Sequence, residues 1–407
     1  MKQIGLRLVN NMRFANNVDR SYSDEFKQAG AKVGYTVNCR LPQRYIVNKG
    51  QALNPQPVKD AVVPISLTDQ ANIGLEFSMA SLTMEVDNYR ERYLEPAVDS
   101  LINQCDYDGL QRCTKKTPMV VGTPGTIPGA TGTPSPYNSN IIYQLAGVKL
   151  TKIGVPQEGR KAMLEANMHA YLTANNFTLF NPANFVGKIF RSGQFSGEAL
   201  GVSEWYQTQN TYTHTVGPLG GAPAIDGVPA NGSAAILTKS WTSAAAKRLS
   251  EGDVVQFDGC YEINPMTYAS TGALKDFVAT ADVYSTSGGA ATIPISPPIV
   301  TSGADQNCSN APADSAVVTI FGHASSHANK VSPQGLIYVM GAYALVFADL
   351  EKPGGLWISE RISNKALGIA VRFLKDYSIM TDQSPARVDI MYGWATPRQE
   401  LGVRICS

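Results

Sequence analysis

The chain has 407 residues, 43% of them hydrophobic and 16% charged, and 34 Lys+Arg against 33 Asp+Glu give a formal net charge of +1. The length suits two or three domains with a sizeable core. The charge content is low for a soluble monomer, which fits a surface largely covered by partners, although a β-rich extracellular protein has similar composition. The balance excludes a protein that condenses nucleic acid by charge, because phosphate neutralisation needs clustered cations and the only basic pairs are Lys115-Lys116, Arg160-Lys161 and Lys247-Arg248.

Residues 1–11 carry no signal peptide by pattern, since Arg7 interrupts Ile4, Leu6, Leu8 and Val9. Residues 1–31 are polar, with apolar positions at Val9, Met12, Val18, Tyr22 and Phe26 that predict a helical arm. A long two-armed β-hairpin follows. Its first arm runs from Tyr35 to Leu41 and through Pro42 to Tyr45-Ile46-Val47. Its tip, 48–57, is loose. Its return arm is 58–67, with 73–77 beyond it. An isolated hairpin is marginal in water and its edges are open to pairing, so the arm is expected to lie on a neighbouring copy of the chain.

The best helix in the sequence places Leu82, Val86, Tyr89, Tyr93, Ala97, Leu101 and Cys105 three or four residues apart. Ser81 suits its N-cap, and Pro96 predicts a kink or a join between two segments. Residues 118–136 are rich in Thr, Gly and Pro and read as a surface loop. A helix is predicted from near Pro156, with Met163, Met168, Tyr171 and Leu172 on it. Asn181-Pro182 opens a further turn-and-helix segment.

From 217 to about 330, Gly, Ala, Ser, Thr and Pro dominate. Short strand-like runs fall at 235–237, 253–257, 277–279 and 317–321, separated by turn signals at Asn231-Gly232, Gly288-Gly289 and Pro297-Pro298. This pattern predicts a small β-barrel or sandwich inserted between two halves of a mixed domain. The apolar stretch 335–348 ends at Asp349, is too short to span a bilayer, and reads as buried strand. Further strands are predicted at 367–377 and 387–392, joined by a turn at 380–385, and at 401–406.

Groups with reactive chemistry are sparse. His323 and His327 are four apart, but in loop-like sequence with no Cys or carboxylate nearby, so no metal site is expected. The six cysteines (Cys39, Cys105, Cys113, Cys260, Cys308, Cys406) form no C-x-x-C pair and are expected to be structural thiols of a reducing cytoplasm. Cys105 and Cys113 flank an acidic turn, Asp106-Tyr107-Asp108-Gly109, yet nothing marks the His and orienting group a nucleophile needs. Asp106-x-Asp108 does not complete a calcium loop. Gly122, Gly125, Gly129 and Gly132 lack the Gly-Lys-Ser/Thr end of a phosphate-binding loop. No catalytic, metal or cofactor site is therefore expected. Trp205-Tyr206 and Tyr392-Gly393-Trp394 could stack a ligand, although such pairs more often fill cores or interfaces. Lys49, at the hairpin tip, could reach an Asn of another subunit for an isopeptide crosslink, and a solvated or salt-bridged lysine is the simpler expectation.

The order of arm, extended hairpin, long helix, mixed domain and late hairpin resembles the HK97-like fold of the major capsid proteins of tailed double-stranded DNA phages. The residues behind the likeness are Leu53-Asn54-Pro55-Gln56-Pro57-Val58 with Leu67-Thr68, and Val254 to Pro265 with Thr271-Gly272 and Phe277. The C-terminal set is Asp349-Leu350-Glu351-Lys352-Pro353, Arg372-Phe373, Asp376-Tyr377, Arg387-Val388-Asp389-Ile390 and Tyr392-Gly393-Trp394. Among such proteins the chain looks most similar to the coat-protein family of short-tailed Salmonella-type phages, which carries an extra β-barrel.

This resemblance implies an α+β fold with an N-terminal arm (1–34), an extended loop (35–78) and the spine helix of a peripheral domain (79–117). It further implies the first part of an axial domain (118–216), a β-rich insertion domain (217–330) and an axial and peripheral return with the late hairpin (331–407). It implies a virion protein assembled in the host cytoplasm. Identical copies would close into pentamers and hexamers of an icosahedral T=7 shell that encloses double-stranded DNA without sequence-specific binding and without a membrane. A scaffolding protein, a portal protein at one vertex and a possible decoration protein are the implied partners. The family uses no covalent crosslink, which favours the plain reading of Lys49. Its insertion domain aids folding and contacts between capsomers, a role in which the loop 222–235 is a candidate. We expect subunit contacts at Arg40, Arg44 and Lys49 in the extended loop and at Asp382 and Arg387 by the late hairpin turn. The competing readings are an encapsulin-like compartment shell and a hydrolase using Cys105 or Cys113.

Overall fold

A computed structural model describes residues 13–22, 36–47, 49–51, 55–57, 61–78, 95–130, 136–176, 198–321, 327–364 and 369–407. Of the helical arm expected over 1–31, residues 13–22 are described, and they hold a three-residue 3-10 turn at Ala15–Asn17 in place of an α-helix. The rest of that arm, the helix positions from Leu82 to Tyr93, Asn181-Pro182 and His323 lie outside the described residues.

Strands β1 (Thr36–Leu41), β2 (Ala61–Ser66) and β3 (Asp69–Ser78) precede helix α1 (Glu95–Lys116). Then come β4 (Val120–Gly122), α2 (Pro136–Lys152), β5 (Arg160–Leu164), α3 (Ala166–Asn176), β6 (Glu204–Gln207) and β7 (Tyr212–Thr215). A β-rich run follows: β8 (Gly221–Ile225), β9 (Ser233–Trp241), β10 (Ala246–Leu249), β11 (Val254–Phe257) and β12 (Tyr261–Ile263). It continues with β13 (Ser270–Leu274), β14 (Phe277–Ala279), β15 (Val283–Ser285), β16 (Ala291–Ile299) and β17 (Val318–Ile320). The chain ends with β18 (Val331–Val339), β19 (Ala344–Ala348), β20 (Ile358–Asn364), β21 (Ile369–Lys375), β22 (Gln383–Ala395) and β23 (Gly402–Cys406). The chain divides into two compact units, each assembled from three segments.

The first unit comprises Met1–Leu41, Val62–Cys113 and Tyr343–Pro397. Its sheet runs β19-β22-β21-β20, with β3 also paired to β22. β22 is 13 residues long; buried Ser384, Ala386 and Val388 alternate with exposed Pro385 and Arg387, and from Val388 to Ile390 both faces are covered. β3 pairs with it antiparallel from Gln383↔Ser78 to Tyr392↔Asp69. The strand expected beyond the hairpin is thus bound to the late hairpin of its own chain. The base of the extended hairpin is also packed at home. β1 pairs with β2, and Cys39, Ile65 and Leu67 bury against Ala344 and Val346. The expectation that the arm has too little of its own to pack against is corrected for this base.

The described part of α1 starts at Glu95, directly before Pro96, and runs to Lys116. It continues through Asp106-Tyr107-Asp108-Gly109, which the sequence suggested as a turn. Gly109 is there because the Trp394 ring lies on the helix. A Cβ at Gly109 would overlap the ring, with even its third-nearest atom at 2.7 Å. Gly393 is a second close approach, since a Cβ there would strike the Ser66 carbonyl. Asp106 instead caps a short N-terminal turn, its Oδ1 accepting from the N–H groups of Phe14 and Ala15 at 3.0 Å each. Phe14 is fully buried and stacks on Trp394 with centroids 5.2 Å apart. Such a burial contributes about 1.5–3 kcal/mol. Asp19 then bridges to Ala344 and accepts from Leu345 N–H at 2.9 Å.

The second unit comprises Pro42–Ala61, Thr114–Ala342 and Arg398–Ser407. One of its sheets runs β4-β23-β18-β5-β6, with β7 also on β18. Tyr143, Ala146 and Leu150 of α2 and Met168 and Leu172 of α3 share a core with Ile337, Val403 and Ile405. The helix expected near Pro156 is not present. Residues 160–164 form β5, so Met163 is a strand residue, and the helix that carries Met168, Tyr171 and Leu172 begins at Ala166. The run Ala162-Met163-Leu164 is fully buried, and a fully buried strand gives no periodicity to separate it from a helix. Arg160, also buried, closes the end of α2: its guanidinium donates to Gly147 O (3.1 Å) and Val155 O (2.7 Å). The apolar stretch 335–348 is two strands, broken by a 3-10 turn at Met340–Ala342.

The other main sheet of this unit runs β17-β11-β14-β16-β9-β8. Its ends meet. Ile225 N–H donates to Ala316 O at 2.9 Å, Ser315 N–H to Ile225 O at 3.0 Å, and Ala224 bridges Val317. The result is barrel-like, around a core of Ile225, Ile236, Trp241, Val255, Phe257, Phe277, Ile293 and Ile295. The four strand-like runs of this region fall in β9, β11, β14 and β17. Pro297-Pro298 is not a turn. It lies inside β16, where the pairing with β9 shifts register between Pro294 and Ile299, because prolines cannot donate to the ladder.

Candidate assembly surfaces

The late hairpin is stiff at its base and bare at its tip. Asp376 N–H donates to Pro385 O (3.0 Å) and Ser378 N–H to Gln383 O (2.9 Å), which closes the turn. Asp382 takes a left-handed conformation, φ 50°, and accepts a 2.9 Å hydrogen bond from the Tyr377 hydroxyl. That bond to a carboxylate raises the Tyr377 pKa. Ile379 and Met380, at the tip, are 85% and 94% exposed. Satisfied backbone with two bare apolar side chains suits a contact with another surface.

Below the tip lies a charged cluster. Asp389 is fully buried and takes Arg372 bidentately, Nε at 3.0 Å and Nη2 at 2.6 Å. Arg387 Nε (3.0 Å) and Gln70 Nε2 (3.0 Å) complete it. An open groove of about 560 Å3 runs alongside, with Glu76, Lys375, Asp376 and Arg387 on its walls. On the same unit, Asp69 pairs with Arg112 through Nη2 at 2.8 Å. Burial pulls the Asp69 carboxyl upward, but hydrogen bonds from Arg112 and Thr68 and the Arg112 charge outweigh it and hold the group below its ordinary value.

The extended loop of the second unit is held by side chains instead of a ladder. Ile46 N–H donates to Gln56 Oε1 (3.0 Å), Gln56 Nε2 returns a bond to Ile46 O, and Gln43 Nε2 donates to Pro57 O (2.9 Å). Tyr45-Ile46-Val47, expected as strand, is therefore irregular backbone. Tyr45 and Val47 are exposed, Val47 by 82%. Arg44 Nη2 meets Glu400 Oε1 at 2.8 Å, with both side chains about a third exposed. A second apolar patch of this unit is Leu145 and Val148, exposed on α2.

The expected contact residues thus sit in different settings. Arg40 and Lys49 are exposed. Arg44, Asp382 and Arg387 each have a partner within the chain. Arg387 and Asp382 share one hairpin. Sequence reasoning missed the Asp389 cluster and the bare tip; the signal for the tip was Ile379-Met380 directly before a polar turn.

Reactive chemistry finds little support. Cys105 and Cys113 are fully buried, and burial together with the charges of Asp106 and Asp108 pushes the Cys105 thiol far up, away from a nucleophilic thiolate. His327 Nδ1 lies 3.3 Å from Pro124 O. Among the described residues no group of three or more His, Cys, Asp or Glu could hold a metal. The aromatic pairs fill cores: Trp205 packs edge-on to Tyr143, Trp394 Nε1 donates to Cys105 O (3.2 Å), and the Tyr392 hydroxyl donates to Asp108 (2.6 Å). Burial and then the Asp108 bond raise the Tyr392 pKa.

Comparison with known proteins bears on the family of the chain. The family described as "P22 coat protein - gene protein 5" matches residues 60–406. No curated protein matches the chain. Similar solved structures include one from Mycobacterium phage Che8, 11% identical with TM-score 0.49, covering 97% of this chain and 90% of that one. Another is the capsid of Ralstonia phage GP4, 8% identical with TM-score 0.45, covering 96% and 87%. A third is the capsid structure of the Cyanophage P-SCSP1u, 12% identical with TM-score 0.43, covering 91% and 83%. The family match carries the assignment.

Proposed function

The chain belongs to the P22 coat protein family, and from that premise we propose how its copies join. It is a major capsid protein with the HK97-like fold and forms the shell of a phage virion. In the proposed assembly, identical subunits close into pentamers and hexamers on a T=7 lattice around double-stranded DNA. A scaffolding protein guides assembly in the host cytoplasm, a portal protein occupies one vertex, and a decoration protein is an optional addition. We propose the same roles for the regions read from the sequence: extended loop 35–78, spine helix 79–117 and insertion domain 217–330. A net charge of +1 suits a wall that encloses DNA without gripping it.

Arg40, Arg44 and Lys49 in the extended loop, and Asp382 and Arg387 at the late hairpin, are the proposed contacts. Family membership over residues 60–406 carries the shell reading, and the bare tip beside Asp382 and Arg387 supports this choice of residues. The test is expression of the chain with and without the scaffolding protein of the same genome, followed by negative-stain electron microscopy. Closed uniform shells are expected. Monomers only, in the presence of that scaffold, would overturn the reading. Arg44→Glu and Arg387→Glu should leave a folded monomer with impaired shells, and normal shells from both would remove these residues from the interface.

A further inference from the structure

Two of the six thiols lie together inside the barrel-like sheet. Glu262 pairs antiparallel with Cys308, and Ser309 N–H donates to Tyr261 O at 2.9 Å. Tyr261 points outward, so its neighbours Cys260 and Glu262 face inward, on the side that Cys308 occupies. Both cysteines are fully buried in the same core, on neighbouring backbone segments joined by the Glu262–Cys308 bridge. Lys275 closes the group, its N–H donating to Cys260 O (2.9 Å) and its Nζ lying 3.3 Å from Glu262 Oε1.

We propose that Cys260 and Cys308 are a dithiol that hydrogen peroxide converts to a disulfide, locking the segment that carries Cys308 to β12. The two thiols differ in readiness. The neighbouring Cys260 thiol lowers the Cys308 pKa, burial opposes this, and the Lys275 charge adds to the lowering. The Cys308 thiol and burial together push the Cys260 thiol up and keep it protonated. The Cys308 thiolate attacks one peroxide oxygen, the O–O bond breaks, and hydroxide leaves; protonation gives a sulfenic acid and water. Cys260 sulfur then attacks the Cys308 sulfur, its proton goes to the departing hydroxyl, and a second water forms. Two thiols are oxidised, one peroxide is reduced to two waters, and no other reagent is needed.

The lock would form in an oxidising medium and stay open in a reducing one. It depends only on the barrel geometry, not on which contacts build the shell. Cys39, Cys105, Cys113 and Cys406, also buried, serve as internal controls.

The folded chain is treated with limiting hydrogen peroxide, quenched, denatured in iodoacetamide, digested and analysed by mass spectrometry. The expected result is loss of two alkylatable thiols and one linked peptide pair, 260 with 308, about 2 Da lighter than the summed thiol peptides. Cys260→Ser should abolish the link and let dimedone trap a sulfenic acid on Cys308 before any other cysteine; should it not fold, Cys260→Ala replaces it. Retention of all six thiols in the wild-type chain overturns the proposal. So does a link between other cysteines, or a Cys308 sulfinic acid with Cys260 untouched.

Discussion

Replacing Asp389 by Ala should destabilise the first unit by about 3–5 kcal/mol, the usual cost of removing one partner of a buried ion pair. The carboxylate is fully buried and holds Arg372 through two hydrogen bonds. Once it is gone, Arg372, whose side chain is 14% exposed, keeps a 2.7 Å bond to Glu351 O but no counter-charge. Arg387 loses far less. Its side chain is 44% exposed and can turn to water, so Arg387→Ala should cost under about 1 kcal/mol. Asp389→Asn keeps the shape and falls between, about 1.5–3 kcal/mol, the worth of hydrogen bonds to a charged group. The double variant Arg372→Met/Asp389→Leu should recover most of the loss, because it leaves no buried charge behind. Urea unfolding of the monomer, followed by tryptophan emission, measures all four. An Asp389→Ala variant within about 1 kcal/mol of wild type would refute the reasoning, as would an Arg387→Ala loss equal to it.

Gly109→Ala sets two effects against each other. An alanine favours a helix interior by about 1 kcal/mol, but its Cβ would overlap the Trp394 ring, and such overpacking costs about 1–3 kcal/mol or more. Net destabilisation is expected in unfolding experiments, reversed in sign when Trp394→Leu removes the ring. The Asp69–Arg112 pair should show in the pH profile. Asp69 has a depressed folded pKa, so its contribution is present above the unfolded value near 4 and is lost as pH falls through the folded one. The pair is partly solvent-screened, so Arg112→Gln should lower stability by about 0.2–1 kcal/mol at pH 7 and by nothing measurable near pH 2; a constant gap between the two urea midpoints across that range would contradict it.

The barrel region was legible because its strands are short, β-branched or aromatic, and set between turn residues. Asn231-Gly232 and Gly288-Gly289 are turns, with Gly232 and Gly289 at positive φ. Pro297-Pro298 misled for a physical reason: a register shift lets a strand carry prolines. The late hairpin was legible from the polar turn between two apolar runs. Helix α2 was not, although Ser135-Pro136 is a fair helix start, because the preceding Thr, Gly and Pro residues drew the loop reading past it. Asp106 to Gly109 looked like a turn for want of Trp394, which lies nearly 300 positions away in sequence and alone explains a glycine inside a helix. The Asp389 cluster was invisible for the same reason. Gln70, Arg372, Arg387 and Asp389 meet only after β3 and β21 pair with β22.

The two kinds of group at the late hairpin should fail differently. Ile379 and Met380 touch nothing that their loss would disturb within the subunit, and apolar area there can contribute about 25 cal/mol for each Å2 covered by a neighbour. That attraction has no direction. Arg387 and Asp382 contribute little net energy, since each already holds an intrachain partner and exposed pairs are weak, but complementary charges set register and reject wrong partners. Met380→Glu should therefore weaken association as such, leaving folded monomers with wild-type melting behaviour. Arg387→Glu should still associate, into irregular or open particles. Sedimentation separates the outcomes and microscopy identifies the particles. Uniform closed shells from Met380→Glu would show that the tip is bare in the shell as well as in the subunit, and the role proposed for this hairpin would fall with it.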